Sequence, residues 1–213
     1  LPSTAAHPTY ACLVETFRRY GLPEEMLMDH GTPWWNPNSF SGLSWLAVQL
    51  IKQGIELHFS RFRHPQTQGK VEALHRTIQR AFDHHGLPPS QTEAVAFFQH
   101  LWPEYNDLRP HEALGQEVPA QHYQPSQRAY QETPPAWVYE SGLIVETLNS
   151  QGSLSYHGRR YFVAKPLANE QVAYEERDGK LLVHYRHMYV REIDLRTADT
   201  RPFIRPVRDN PYV

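Results

Sequence analysis

Residues 64–82 read HPQTQGKVEALHRTIQRAF, and this stretch joins a polar loop to a helix. Four apolar residues recur at intervals of three or four, which places them on one helix face: Val71, Leu74, Ile78 and Phe82. Glu72 lies near the start of the same helix, away from the apolar face. The pattern therefore predicts a half-buried helix that presents a carboxylate directly after a loop.

A second carboxylate follows a short apolar run earlier in the chain. Residues 26–28 read Met-Leu-Met, and residues 29–31 read Asp-His-Gly. An apolar run that ends in turn-forming residues predicts a buried strand followed by a turn. In α/β folds ligands bind at the carboxyl ends of the strands, which is where Asp29 would lie. Taken singly, each acid is better explained by a structural role, Asp29 as a turn residue and Glu72 as the i,i+4 partner of Arg76.

Helical and extended patterns alternate through the first 123 residues. Apolar residues at helical spacing predict helices at 9–20, 43–53 and 92–107, and alternating ones predict a strand at 55–60. Pro103 is expected to bend or break the last helix. Residues 32–42 predict an irregular loop. Helices and strands in alternation indicate an α/β domain over residues 1–123.

After residue 123 both the composition and the periodicity change. Residues 124–137 are rich in Pro, Gln and Ser, which predicts a linker. Beyond them apolar residues alternate with period two, and strands are predicted at 143–148, 153–156, 160–163, 171–174, 181–185 and 189–193. Such short, closely spaced strands favour a small barrel or sandwich over residues 138–196, followed by a C-terminal tail at 197–213.

The composition excludes several classes of protein. The chain has 213 residues, of which 40% are hydrophobic and 21% charged, so wholesale disorder is excluded. No apolar run approaches the roughly 18 residues that cross a bilayer. The single cysteine, Cys12, excludes a disulfide scaffold and a zinc site built on paired cysteines, and it fits a reducing compartment.

The net charge of −2 hides a basic stretch. Between residues 61 and 80 stand five Lys or Arg residues and a single acid, Glu72. A run of this kind is typical of a solvated helix face or of a nucleic-acid-binding surface. Charge alone favours the solvated face.

Three segments together resemble the signature of insertion-sequence transposases in the retroviral-integrase superfamily, the DDE enzymes. Residues 64–72 (HPQTQGKVE) resemble the loop that leads into the helix with the last catalytic carboxylate. Residues 28–31 (MDHG) resemble the strand end with the second catalytic aspartate, and residues 105–114 (YNDLRPHEAL) resemble the segment that closes the core. Three motifs in this order argue against a chance match. The resemblance covers residues 17–123, and residues 138–196 resemble the small SH3-like barrel that follows the core.

The resemblance implies a ribonuclease H-like integrase core that cleaves DNA and transfers strands. In such a site three carboxylates hold two Mg²⁺ or Mn²⁺ ions, because hard cations prefer oxygen ligands. Asp29 and Glu72 would be catalytic residues and metal ligands. The partner would be double-stranded DNA, both transposon ends and target, and the DNA-binding residues would be Arg61, Arg63, His64, Gln66, Gln68, Lys70 and Arg76. We further expect a homo-multimer, a cytoplasmic, nucleoid-associated location in bacteria, and no membrane.

The chain departs from the family pattern in two respects. Residues 1–28 contain no Asp, so the first catalytic aspartate has no counterpart. Because the chain begins with Leu1, we expect the first strands and their aspartate to lie upstream, and this fragment alone to be inactive. Asp29 and Glu72 are also 43 positions apart, more than in most relatives, and residues 33–42 account for the difference.

Two groups of residues have both a structural and a DNA-binding interpretation. Trp34 and Trp35 either pack within their loop or stack on bases, and packing is favoured. The polar residues of segment 105–114 either contact DNA or form a hydrogen-bonded cap between helices, and the cap is favoured.

The sequence thus predicts a DDE transposase that lacks its first catalytic strand. The first alternative is a non-catalytic remnant that binds DNA or multimerises. The second is a protein-interaction module in which the β-barrel is the functional part and the core is scaffold. A metal titration against cleavage of a labelled duplex separates the transposase from the remnant.

Overall fold

The computed structural model describes residues 5–60 and 69–209, which belong to two compact units. One unit comprises residues 1–62 together with 126–213, and the other comprises residues 63–125. Helices and strands alternate in the N-terminal part of the first unit, whereas its C-terminal part is mostly strand. The mixed α/β content predicted from the sequence is confirmed.

A pair of parallel strands with two helices forms the N-terminal part of the first unit. Its elements are α1 (Ala6–Tyr20), β1 (Glu25–Met28), β2 (Trp35–Asn36), β3 (Gly42–Leu43), α2 (Trp45–Lys52) and β4 (Glu56–Phe59). Strands β1 and β4 pair in parallel with their first residues opposite each other. Helix α2 lies in the core because most of its residues are apolar and buried. The parallel pair places the carboxyl ends of both strands at one edge.

The second unit is helical and has little interior. Its helices are α3 (Gly69–His85), α4 (Gln91–Pro103) and α5 (Pro119–His122). Ser90 caps α4 by accepting a hydrogen bond from the Glu93 N–H at 3.2 Å. As predicted, Pro103 ends the helix, and a single π-helical turn follows at Glu104–Leu108. None of the described side chains of residues 69–125 is fully buried.

An antiparallel sheet forms the C-terminal part of the first unit. Its strands are β5 (Ile144–Thr147), β8 (Gln171–Arg177), β9 (Lys180–Tyr185), β10 (Met188–Asp194) and β11 (Thr200–Pro206), in the order β11-β10-β9-β8-β5. A separate hairpin joins β6 (Ser153–Tyr156) to β7 (Arg159–Phe162). All six strands predicted from alternation are present.

The predicted SH3-like barrel is not confirmed. Strands β5 and β11 form the two edges of the five-stranded sheet, and within the described residues they do not pair with each other. The sheet is therefore open, and the β6–β7 hairpin lies outside it. Strand β11 was not predicted, because its sequence TRPFIRP carries prolines at 202 and 206 that obscure the strand pattern. Proline is tolerated there because β11 is an edge strand.

The parallel pair and the antiparallel sheet share one hydrophobic core. Leu50 and Ile51 of α2 belong to the same buried cluster as Leu148, Leu167 and Val183. Each of these five side chains is fully buried. Because α2 contributes to the same core as the sheet, the two parts of this unit stabilise each other.

Arg128 forms hydrogen bonds with the backbone at the end of α2 and just before β1. Its guanidinium donates hydrogen bonds to the carbonyl oxygens of Pro23 at 2.7 Å, Gln53 at 3.1 Å and Gly54 at 2.7 Å. The last carbonyl groups of a helix have no partner within the helix, and a cation suits the negative end of its dipole. Residue 128 lies in the stretch predicted to be a linker, and here it fastens that stretch to the core.

We expect Arg128→Ala to lower the free energy of unfolding by roughly 2–4 kcal/mol, because the substitution leaves three part-buried carbonyl groups without a charged donor. Urea denaturation of the full chain measures the change. The matched control is Arg159→Ala at an exposed position of β7, which we expect to change stability by less than about 0.5 kcal/mol. Equal effects of the two substitutions would contradict the proposed role.

Two side chains of the turn between β9 and β10 bind carbonyl groups near the same helix end. Arg186 Nη1 donates to the Lys52 carbonyl at 2.8 Å, and His187 Nε2 lies 3.1 Å from the Ile55 carbonyl oxygen. Burial lowers the pKa of His187 below its usual value, although the hydrogen bond to Ile55 acts in the opposite direction. The imidazole is therefore held neutral in the folded protein at neutral pH.

Acidification should destabilise the fold through His187. Its pKa is lower in the folded than in the unfolded chain, so its contribution to stability is present above about pH 6.5 and is lost as the pH falls further. We expect His187→Gln to lose less stability than the wild type between pH 7 and pH 5.5. Urea midpoints across this range test the expectation, with exposed His157→Gln as the control. Parallel pH profiles of wild type and His187→Gln would refute it.

Candidate functional site

Asp29 lies at the carboxyl edge of the parallel strands. It directly follows β1 and is exposed, and the Ser60 N–H after β4 donates to the Met28 carbonyl at 2.8 Å. Asp29 Oδ1 accepts a hydrogen bond from the Gly31 N–H at 2.9 Å, so the turn role expected of this residue type is present. The same position also presents a carboxylate where α/β folds bind ligands.

Glu72 lies in the first turn of α3 and is exposed. Arg76 follows one turn later and is also exposed, yet within the described part of the chain the two side chains form no ion pair. The simple structural explanation of Glu72 as a surface partner of Arg76 is therefore not supported. Asp29 and Glu72 belong to different compact units, so their meeting at one site stays a prediction.

Most of the predicted DNA-binding residues fall outside the described part of the chain. This holds for Arg61, Arg63, His64, Gln66 and Gln68, and for the side chain of Lys70. Arg76 is the described member of the set. The DNA-binding role of all seven residues stays a prediction.

A pocket of about 270 Å³ is lined by His30, the residue after Asp29, and we refer to it as the pocket beside Asp29. The ends of β1 and β4 contribute His30, Phe59 and Ser60, the loop after β1 contributes Trp35, and β11 contributes Pro202, Phe203, Ile204 and Arg205. The Trp35 ring lies 4.8 Å from the His30 ring and 5.2 Å from the Phe59 ring, in edge-to-face contacts. The Arg205 guanidinium lies 4.5 Å from the centre of the Phe203 ring. The pocket therefore combines aromatic surfaces with a cation.

The loop that carries Trp35 is held by a short hairpin and a buried arginine. Instead of the irregular loop predicted, β2 and β3 pair within it. Gly42 has φ +69°, and a Cβ there would lie 2.1 Å from Trp35 Cζ2, so only glycine fits against the ring. Arg191 of β10 is fully buried and donates to the Phe40 carbonyl at 2.8 Å. Burial lowers the pKa of Arg191 to about 10, so it remains a cation at neutral pH.

A second group of possible metal ligands lies towards the amino ends of the parallel strands. Glu25, Glu56 and His58 place one ligand atom each within 4.8 Å of one another. Arg208 Nη2 lies 2.6 Å from Glu56 Oε2 and 3.6 Å from Glu25 Oε2, so a guanidinium is already paired with both carboxylates. This group does not fit a hard divalent cation, which prefers oxygen ligands that are not already paired with a guanidinium.

Segment 105–114 contains the hydrogen-bonded turns expected of a cap. The Arg109 N–H donates to the Glu104 carbonyl at 2.9 Å. His111 Nε2 lies 3.3 Å from the Tyr105 carbonyl oxygen, and the two rings are 4.7 Å apart. These contacts fix the chain after α4.

Part of the chain matches a known protein family. Residues 53–119 match the family model of the integrase core domain. The match covers about a third of the chain, from the end of α2 to the start of α5, and it includes Glu72 but begins after Asp29. It supports a relation to the integrase and transposase superfamily and a ribonuclease H-like fold.

Integrase core domains generally act on DNA as polynucleotidyl transferases with divalent metals, which makes the carboxylates of the chain the first candidates for catalysis. Sequence reasoning had not singled out Phe59, Phe203 or Arg205, although they line the pocket beside Asp29. The alternating pattern around Phe59 predicted a strand but did not indicate that Phe59 lines a binding pocket.

No helix within residues 5–60 and 69–209 is both long and apolar enough to cross a membrane.

Proposed function

We propose that this chain carries two of the three catalytic carboxylates of a DDE transposase and acts in DNA transposition. The observation that carries the proposal is the integrase core domain match, which includes Glu72 in the first turn of α3. Asp29, exposed at the carboxyl edge of the parallel strands, supports it as the second acid. The reaction would be cleavage of a phosphodiester bond followed by strand transfer.

The chemistry follows from the oxygen ligands and from nearby cations. Asp29, Glu72 and a third carboxylate would hold two Mg²⁺ or Mn²⁺ ions. When bound, the two ions activate the attacking water or 3′-hydroxyl and stabilise the leaving oxygen. Arg76, one helical turn after Glu72, would neutralise a DNA phosphate and position the backbone without reading its sequence.

The edge of β1 opposite β4 is the position that we propose for the strand with the third carboxylate. The Glu56 N–H donates to the Glu24 carbonyl and the Ser60 N–H to the Met28 carbonyl, so these carbonyl groups face β4. In a parallel strand the backbone N–H and C=O groups of alternate residues point to opposite edges. The backbone groups of Leu27 therefore point away from β4. Leu27 is 50% exposed, and within the described residues β1 pairs with β4 alone. We propose that an aspartate-bearing strand pairs with this edge, and that the chain alone binds metal weakly.

A labelled duplex with a transposon end tests the proposal. We expect little cleavage by the chain alone, and cleavage in Mg²⁺ or Mn²⁺ but not in EDTA once an aspartate-bearing segment is joined before residue 1. Duplex binding with no cleavage after that addition would contradict the proposal. It would favour the non-catalytic DNA-binding remnant instead.

The active form is proposed to be a homo-multimer in the bacterial cytoplasm, associated with the nucleoid through its DNA substrate. Exposed apolar side chains on the helical unit support an assembly. Leu87 is 75% exposed and Leu108 is 73% exposed, and contact with a second copy would remove this apolar surface from water. Light scattering of the purified chain should then give a mass at least twice 24.8 kDa. A monomer at micromolar concentration would oppose this part of the proposal.

A further inference from the structure

We infer that the pocket beside Asp29 is a binding site for one unpaired nucleobase of the DNA on which the proposed transposase acts. This inference rests on the proposed function for the identity of its ligand. Nothing in the integrase core domain match assigns the pocket, because Trp35 and β11 lie outside residues 53–119.

The lining of the pocket suits a flat ring. Trp35 and Phe59 are half-buried, so part of each aromatic surface remains accessible, and their ring centres are 5.2 Å apart. Phe203 lies in the same wall as Arg205 but is buried, so Trp35 and Phe59 supply the accessible aromatic surface. Aromatic rings of this kind bind nucleobases by stacking, whatever the sequence, because every base has a π-face.

The size of the pocket limits the ligand to a single ring system. Its volume of about 270 Å³ is below the roughly 300–1,000 Å³ of sites for drug-sized molecules. A base pair is too large to enter, so the base must be unstacked and unpaired before it binds.

The charge of the pocket suits a nucleotide rather than a neutral aromatic compound. The described residues that line it include Arg205 and His30 but no carboxylate. Within the described residues, Arg205 forms no ion pair with a carboxylate. Its guanidinium is therefore available to a phosphate that follows the bound base.

The position of the pocket links it to the proposed chemistry. His30 lines the pocket and is the next residue after Asp29, so the two Cα atoms are about 3.8 Å apart. A base held against Trp35 would therefore place its own backbone near the carboxylate. The pocket would fix the strand at the point where the phosphodiester bond is cleaved.

Binding of two labelled duplexes by the full chain, measured by fluorescence anisotropy in EDTA, tests this inference. One duplex carries a short single-stranded 3′ overhang, and the other carries the same overhang with abasic sites. We expect the overhang with bases to bind about tenfold more tightly. Trp35→Leu should abolish the difference, whereas Trp35→Phe, which keeps an aromatic ring, should retain most of it.

The control is Trp102→Leu, which changes an exposed tryptophan of α4 and should leave the base preference intact. If circular dichroism shows that Trp35→Leu does not fold, Phe59→Leu takes its place. Equal affinity of the wild type for both duplexes would overturn the inference, as would an unchanged preference in the folded variant. The binding assay contains EDTA, so it does not depend on catalysis. A base preference in this assay, combined with no cleavage in the cleavage assay, would support the pocket and contradict the proposed catalysis.

Discussion

Glu72→Gln should reduce metal-dependent DNA cleavage by roughly a thousandfold in the protein that carries all three carboxylates. The amide keeps the size and shape of the side chain but removes the charge that would hold a divalent cation. A loss of several kcal/mol of transition-state stabilisation corresponds to that factor. Initial rates on a labelled duplex at saturating Mg²⁺ measure it.

The effect should be specific to catalysis. Glu72 is exposed in the first turn of α3, so its loss should leave folding unchanged and duplex binding within about twofold. Glu104→Gln makes the same chemical change at an exposed acid of the same helical unit and should retain full activity. If Glu72→Gln kept more than a tenth of the wild-type rate, Glu72 would not be a metal ligand.

Gly152→Ala should lower the free energy of unfolding by about 4 kcal/mol. Gly152 is buried with φ +75°, and a Cβ there would lie 2.0 Å from the Ala164 carbonyl oxygen. The same backbone is fixed by hydrogen bonds, because the Gly152 carbonyl accepts from the N–H groups of Val163 at 2.9 Å and Ala164 at 3.1 Å. The added methyl group therefore cannot be accommodated by a side-chain movement.

Gly158→Ala separates backbone strain from steric overlap. Gly158 has φ +74°, nearly the same as Gly152, but no atom lies within 4 Å of the position of its Cβ. This substitution should cost only about 1 kcal/mol, the strain of a left-handed alanine. Chemical denaturation of both variants gives the comparison. Similar losses at the two positions would show that backbone strain, and not overlap with Ala164, limits residue 152.

Local periodicity was sufficient to predict most elements of this chain. The helix ending near Tyr20 and the strand at residues 25–28 follow from spacings that a few neighbouring residues define. The six predicted β-strands of the C-terminal part follow from alternation in the same way. Strand β11 was not predicted because its two prolines are acceptable only at a sheet edge, and local sequence does not show which strand lies at an edge.

The sequence did not indicate that the predicted linker is attached to the core. Its composition of Pro, Gln and Ser gives no sign that Arg128 binds Gln53 and Gly54, which are more than 70 residues earlier. Likewise, nothing near Arg191 indicates that it is buried against the Phe40 carbonyl, 151 positions away. Such contacts depend on which carbonyl groups the folded chain leaves without partners.

The sequence by itself determined the elements of this protein, since these depend on residue type and short-range spacing, and its resemblance to transposase motifs singled out two candidate carboxylates. The acid at the start of α3 and the acid at the end of β1 were identified in this way. Only the tertiary structure decided that the β-sheet is open and that Trp35 and Arg205 line one pocket. The physical reason is that pairing at a sheet edge and the walls of a pocket are made by residues far apart in the chain, whose approach is set by packing of the whole core.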